Sequence, residues 1–225
     1  MYMLYVALPG LLIGLYAQMK VKSAFARGSR IPARRGWTGA QIAQAILDAN
    51  GIRNVSIEPI RGHLSDHYDP RAKVLRLSPD VYSGRSLAAA GVAAHEVGHA
   101  IQDARGYAPL GLRNAVVPVA NIGSSFGMML AMIGLAMGLT NMVGIGALLF
   151  AAVVVFQIIN LPVEFNASRR ARDTLVMNGL VTEQEDREVA RVLNAAAMTY
   201  VAATITSILT LLYFLMRSGL LGRSR

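Results

Sequence analysis

The sequence predicts an α-helical membrane protein in which about four transmembrane helices carry a small α+β domain. Three observations predict it. Hydrophobic residues make up 54% of the 225-residue chain and the mean hydropathy is +0.42, more apolar than an ordinary soluble domain. The excess is concentrated in runs without a charged side chain, at 1–19, 114–163 and 192–216. Between these runs lie polar segments that hold helix caps, turn signals and all four histidines.

The first run predicts a helix over 2–19. It has no charged residue ahead of its apolar stretch and no clear A-x-A site, and Lys20 and Lys22 follow it, so it reads as an anchor rather than a cleaved signal peptide. The middle run is 50 residues long. As one helix it would measure about 75 Å at ~1.5 Å per residue, too long for one crossing of a ~30 Å hydrocarbon core. Two helices, 115–138 and 143–162, joined through Gly138 to Gly144, fit better. The last run predicts a helix over 194–216, ahead of a short tail at 217–225. A buried hairpin in a large soluble protein is the alternative to this membrane reading.

Charge sets the expected orientation. Segment 20–113 holds fourteen Lys and Arg, segment 164–193 holds five, and the turn between the middle helices holds none. With an even number of spans both polar segments share one side, and the positive-inside rule makes that side cytoplasmic. Arg217, Arg223 and Arg225 oppose this assignment. The formal net charge of +9 follows mainly from the same asymmetry and does not imply a nucleic-acid partner, since exposed aromatics do not alternate with the basic residues. Membrane lipids are the expected neighbours of Lys20, Lys22, Arg27, Arg30, Arg34 and Arg35. The absence of cysteine excludes disulfides and thiolate ligands.

Within 20–113, the Arg-, Gly-, Ser- and Pro-rich stretch 23–37 predicts a juxtamembrane linker. Thr38 and Gln41 form a capping box that opens a helix ending near Gly51. Strands are expected over 53–60, 64–68 and 73–77, the last two around the turn Asp69-Pro70-Arg71-Ala72. Ser86 can cap, and Gly106 stop, a helix of about five turns containing His95-Glu96-Val97-Gly98-His99.

That HExxH pattern places two imidazoles four residues apart on one helical face, where they can grip one metal ion. Zinc is the expected cofactor, one per chain, because it accepts neutral imidazoles and activates a water molecule for hydrolysis. Glu96, beside a ligand, is the expected catalytic base. The flanks are small or apolar from Ser86 to Gln102, as a buried helix requires. The helix–sheet–helix order is that of the upper half of a zincin, so the small α+β domain is expected to be zincin-like and catalytic. The strand at His67 and Tyr68 is then a candidate substrate edge and a candidate source of oxyanion stabilisation; scaffold alone is the alternative.

A third ligand must come from elsewhere. Gln102 and Arg105 stand where a metzincin has its glycine and third histidine. Asp103, one turn past His99, is a candidate for orienting a histidine rather than touching the ion. Glu183, Glu185, Asp186 and Glu188 follow Thr182 as a solvated, capped first turn. Glu164 ends the 50-residue uncharged run just after Pro162, which can start a new helix, and a carboxylate there needs a cation. A metal is preferred; Arg169, Arg170 or Arg172 is the alternative.

The segments 62–70, 77–82, 93–102 and 161–171 resemble the YugP-type membrane zinc metallopeptidases of bacteria over nearly the full chain. More distantly the chain is similar to the HtpX and CAAX-prenyl-protease gluzincins, whose second motif reads E-[YF]-x-A-D-x-x-A. The resemblance implies a metal held by His95, His99 and Glu164, with Glu96 catalytic. The aspartate of that motif, which orients a zinc histidine, falls on Ser168.

The expected protein is therefore a multi-pass enzyme of the bacterial cytoplasmic membrane, its active site on the cytoplasmic side. It would hydrolyse protein or peptide substrates that are membrane-associated or misfolded. An oligomer or a membrane partner protein stays open. An intramembrane site-2-type protease is disfavoured because the later uncharged runs lack an aspartate. The rival of another class is a non-enzymatic membrane scaffold or partner-binding protein with a structural metal site, which would have no use for Glu96.

Overall fold

A computed structural model describes residues 1–221; residues 222–225, with Arg223 and Arg225 of the basic tail, lie outside the described residues. The chain is mostly helical, and four helical stretches are long and apolar enough to cross a membrane: Met3–Gly28, Ala108–Met137, Thr140–Met177 and Glu183–Arg217. In chain order the elements are α1 (Leu8–Gly28), α2 (Gly39–Ala49), β1 (Ser56–Pro59), β2 (His67–Asp69), β3 (Val74–Leu77), α3 (Pro79–Tyr82), α4 (Leu87–Ala104), α5 (Ala108–Ile122), α6 (Met128–Met137), α7 (Thr140–Met177) and α8 (Glu183–Arg217). Single π-turns, Met3–Ala7 and Gly123–Gly127, precede α1 and α6.

Four helices run further than the sequence predicts, α5 by beginning at Ala108 rather than at 115. α1 continues through Lys20 and Lys22 to Gly28, because no glycine or proline interrupts the stretch after Gly14, and the predicted linker is helical over its first residues. Pro162 lies inside α7 rather than at the start of a new helix. A proline forfeits one backbone hydrogen bond, whereas breaking a helix beside an apolar run would leave several backbone groups unmet. α8 begins at the Thr182 capping box and passes without a break into the last apolar run.

The chain divides into two compact units. The first comprises Met1–Ala17, Gly111–Pro162 and Thr199 onward. Its helices approach closely through small residues: a Cβ on Gly146 would lie 2.5 Å from the Ala131 nitrogen. Phe214 is fully buried there, stacked on Tyr2 and edge-on to Phe150. Gly138, at φ +71°, makes the turn between α6 and α7.

The second unit, Gln18–Leu110 and Val163–Met198, holds every histidine and the sheet. Both bonds of the Thr38–Gln41 capping box form, and α2 then buries Ile42, Ala43, Ile46 and Leu47 along one face. The sheet order is β1-β3-β2, with β1 parallel and β2 antiparallel to the central β3. Asp69 closes the hairpin by accepting from the backbone N–H groups of Arg71 and Ala72. Leu75 and Leu77 of β3 are fully buried in a core shared with α2, Val81, Val97, Ile101, Leu175 and Val189.

This packing predicts that Leu75→Ala, which empties the centre of β3, lowers stability by about 2–5 kcal/mol in denaturant unfolding of the detergent-solubilised protein. Wild-type stability in that variant would contradict the placement of Leu75.

Candidate metal centre

The site is built on α4. Ser86 Oγ accepts from Ala89 N–H at 3.2 Å, and Gly106, at φ +61°, ends the helix two residues past Ala104. Between these ends nearly every face is apolar and buried, so the helix is a core element, and any polar group on it must find a partner. His95 and His99 sit one turn apart with ring centroids 4.9 Å apart and planes nearly perpendicular.

The second wall is α7. A Cβ on Gly98 would stand 2.6 Å from the carbonyl oxygen of Ala167, so the two helices can meet at this distance only over a glycine. That approach carries Glu164 over the histidine pair. Its Oε2 lies 3.3 Å from His95 Nε2 and 3.6 Å from His99 Nε2. One ligand atom from each residue falls within 4.8 Å of the others, and the three side chains are 13%, 10% and 6% exposed. On the far side of each ring, His95 Nδ1 is 3.1 Å from Ser168 Oγ and His99 Nδ1 is 3.0 Å from Gln102 Oε1. Both rings therefore turn Nε2 toward one carboxylate. Two imidazole nitrogens and a carboxylate oxygen form a donor set suited to zinc, and three protein ligands leave a position for reacting molecules.

Glu96 is buried beside His95, and burial pushes its carboxyl up to about 7, opposed by the charge of His95 and reinforced by that of Glu164. Asp66 and His67, at the start of β2, are near enough to act on the same carboxyl. The Asp66 carboxylate is fixed by Ser78, whose N–H and hydroxyl both donate to it.

His95, His99 and Glu164 come together, with Ser168 behind His95. His67 stands on β2, an edge of the sheet, and its Nδ1 is 2.9 Å from the Ser65 carbonyl. Asp103 does not stand behind a histidine. It accepts from Tyr68 Oη at 2.6 Å and Lys73 Nζ at 2.5 Å, tying the hairpin to the end of α4. Burial, with Asp103 next, raises the Tyr68 phenol well above its usual range, and its proton stays committed to that carboxylate. Two of the arginines weighed as partners for Glu164 are engaged elsewhere: Arg170 donates to Asn166 and Arg172 to Asp186. In the acidic turn, Glu185 accepts from the Arg34 backbone and Glu188 pairs with Arg191. Sequence reasoning missed the parts of Gly98, Gln102 and Asn166; a buried amide on an apolar helix face was the available signal for Gln102.

The family described as "Putative neutral zinc metallopeptidase" matches residues 2–219. The chain is 47% identical over 216 residues, covering 96% of each chain, to the protein of Bacillus subtilis (strain 168) described as "Putative membrane protease YugP". No solved structure matches it.

Gly98→Ala is predicted to lower stability by about 1–3 kcal/mol through overpacking and to weaken divalent-metal binding. Gly91→Ala, whose Cβ would meet Val189 Cγ1 at 3.1 Å rather than backbone, should do less of both. Thermal unfolding and metal titration of the two variants check this. Equal behaviour would contradict the close crossing of α4 and α7.

Proposed function

This chain belongs to the family described as "Putative neutral zinc metallopeptidase", and from that premise we propose that it is an integral-membrane zinc endopeptidase. Its substrates are membrane-associated or misfolded proteins, and its zincin-like α+β unit works on the cytoplasmic face of the bacterial membrane. The observation that carries the reading is the convergence of His95, His99 and Glu164 beside the buried Glu96. These three residues would hold one zinc ion. When bound, zinc supplies a Lewis acid for the scissile carbonyl and for a water molecule.

The chain's own groups supply the rest. The Glu96 carboxylate takes a proton from the water as its oxygen bonds to the carbonyl carbon, leaving an oxyanion, and then gives that proton to the amine nitrogen, so the C–N bond breaks as the carbonyl re-forms and the amine departs neutral. A carboxyl shifted toward neutrality suits both halves of that transfer. β2 offers a free strand edge to an extended substrate backbone. His67 is better placed than Tyr68 to meet the developing oxyanion, since Tyr68 already donates to Asp103. A structural metal site in a scaffold would give a buried carboxylate next to a ligand no purpose.

Glu96→Gln is predicted to keep its zinc and to lose peptide hydrolysis by about 10²-fold or more, measured on an unfolded protein substrate. Undiminished hydrolysis with zinc retained would remove Glu96 from the chemistry. Orientation has its own test, because the chain has no cysteine to mask the signal. A single Met177→Cys, at an 84% exposed position, should resist an impermeant maleimide in intact cells and react in inverted vesicles. The opposite pattern would place the site outside.

A further inference from the structure

Gln102 is fully buried near the C-terminal end of α4, beside a largely apolar core. A buried amide is held there by its partners, and in this case the partners determine which end is which. Gln102 Nε2 lies 2.8 Å from the backbone carbonyl of Val163, which can only accept. That end of the amide is therefore the NH₂ group. Its second hydrogen goes to Asn166 Oδ1 at 3.0 Å. The identity of that oxygen is fixed in turn, because Arg170 Nε, a donor only, lies 2.7 Å from it. Arg170 is itself steadied by the Tyr107 ring, 5.8 Å from its guanidinium carbon.

The oxygen of Gln102 is thus the atom that faces His99 Nδ1 at 3.0 Å. An amide oxygen can only accept, and at 3.0 Å it is within hydrogen-bond distance whereas the Glu164 oxygen facing Nε2, also an acceptor, is 3.6 Å away, so Nδ1 carries the hydrogen and the lone pair of a neutral His99 stands at Nε2. Histidine in water favours the other tautomer. His95 is under no such constraint, since the Ser168 hydroxyl behind it can donate or accept.

We propose that Gln102 is a positioning residue that fixes His99 in its Nδ1–H tautomer and so presents Nε2 to the metal. Arg170, Asn166 and the Val163 carbonyl are the chain of groups that hold it. The Val163 bond does a second job. It ties α4 to the peptide unit directly before Glu164, so one amide sets both the tautomer of one ligand and the place of another. The metal half of this inference rests on the zinc reading above; the tautomer half does not.

The test uses full-length protein in detergent, with zinc alone as the ligand. Chelator competition gives its affinity. Nitrogen-15 spectra of histidine-labelled, metal-free protein give the tautomer of His99, assigned through single histidine substitutions. Gln102→Met, similar in volume and without the amide, should weaken zinc about 10–100-fold and move the His99 hydrogen from Nδ1 to Nε2. Asn166→Ala, which removes one of the two acceptors for the amide, should shift both readings the same way by less, and carries the test if Gln102→Met fails to fold. Wild-type zinc affinity in a folded Gln102→Met, or a metal-free wild type with its His99 hydrogen on Nε2, would overturn the inference. A wild type that binds no zinc but shows the Nδ1–H tautomer, lost in Gln102→Met, would instead overturn the peptidase reading and leave the positioning role standing.

Discussion

The site depends on the distance between two helices. At Gly98 the backbone of α7 comes so near α4 that the Ala167 carbonyl occupies the space a Cβ would need. This approach puts Glu164 within 3.6 Å of both histidines although the two parts of the site lie more than sixty residues apart. Gly98, the second variable position of HEVGH, is therefore a packing constraint as well as part of a motif. Ala94, Ala167 and Ala171, all fully buried, continue the same economy of side-chain volume along the two helices. Close-packed interiors transmit a displacement of even one methyl group, so the ligand geometry is only as firm as this contact.

Such closeness brings polar groups into an apolar core, and the unit resolves this with linked hydrogen bonds. Each buried donor or acceptor left unmet costs about 1–3 kcal/mol. His95 turns to Ser168, His99 to Gln102, and Gln102 to Val163 and Asn166. All four supporting groups except Gln102 come from the stretch of α7 that also carries Glu164. The segment 163–170 thus puts the candidate ligand Glu164 and most of the supporting groups on one helix, as precise placement of a site requires. Asp103 gathers Tyr68 and Lys73 and ties the β2–β3 hairpin to the end of α4.

Much of this was legible in the sequence because it is local. The Thr38 and Thr182 capping boxes, the Ser86 cap, the αL glycine at 106 and the uncharged runs each depend on residues within a few positions of one another. HExxH is legible for the same reason, its two histidines being one helical turn apart. Helix extents were less so. Pro162 and Gly28 carry ordinary stop signals, yet α7 passes through the proline, and α1 reaches the glycine only because nothing before it intervenes. The α7 partners of Gln102 and Gly98 and the hairpin partners of Asp103 were not legible, since each of these contacts joins positions tens of residues apart. Position 102 offered a mismatch to a metzincin pattern and an amide on an apolar helix face, and its physical meaning appears only once Val163 stands opposite it.

The central claim is that a carboxylate from α7 completes a metal site begun by α4. Zinc content per chain, measured by elemental analysis on detergent-purified wild type and on folded Glu164→Ala, tests it most directly. The account predicts about one zinc per chain in the wild type and a sharp reduction in the variant. Equal zinc in both proteins would contradict it.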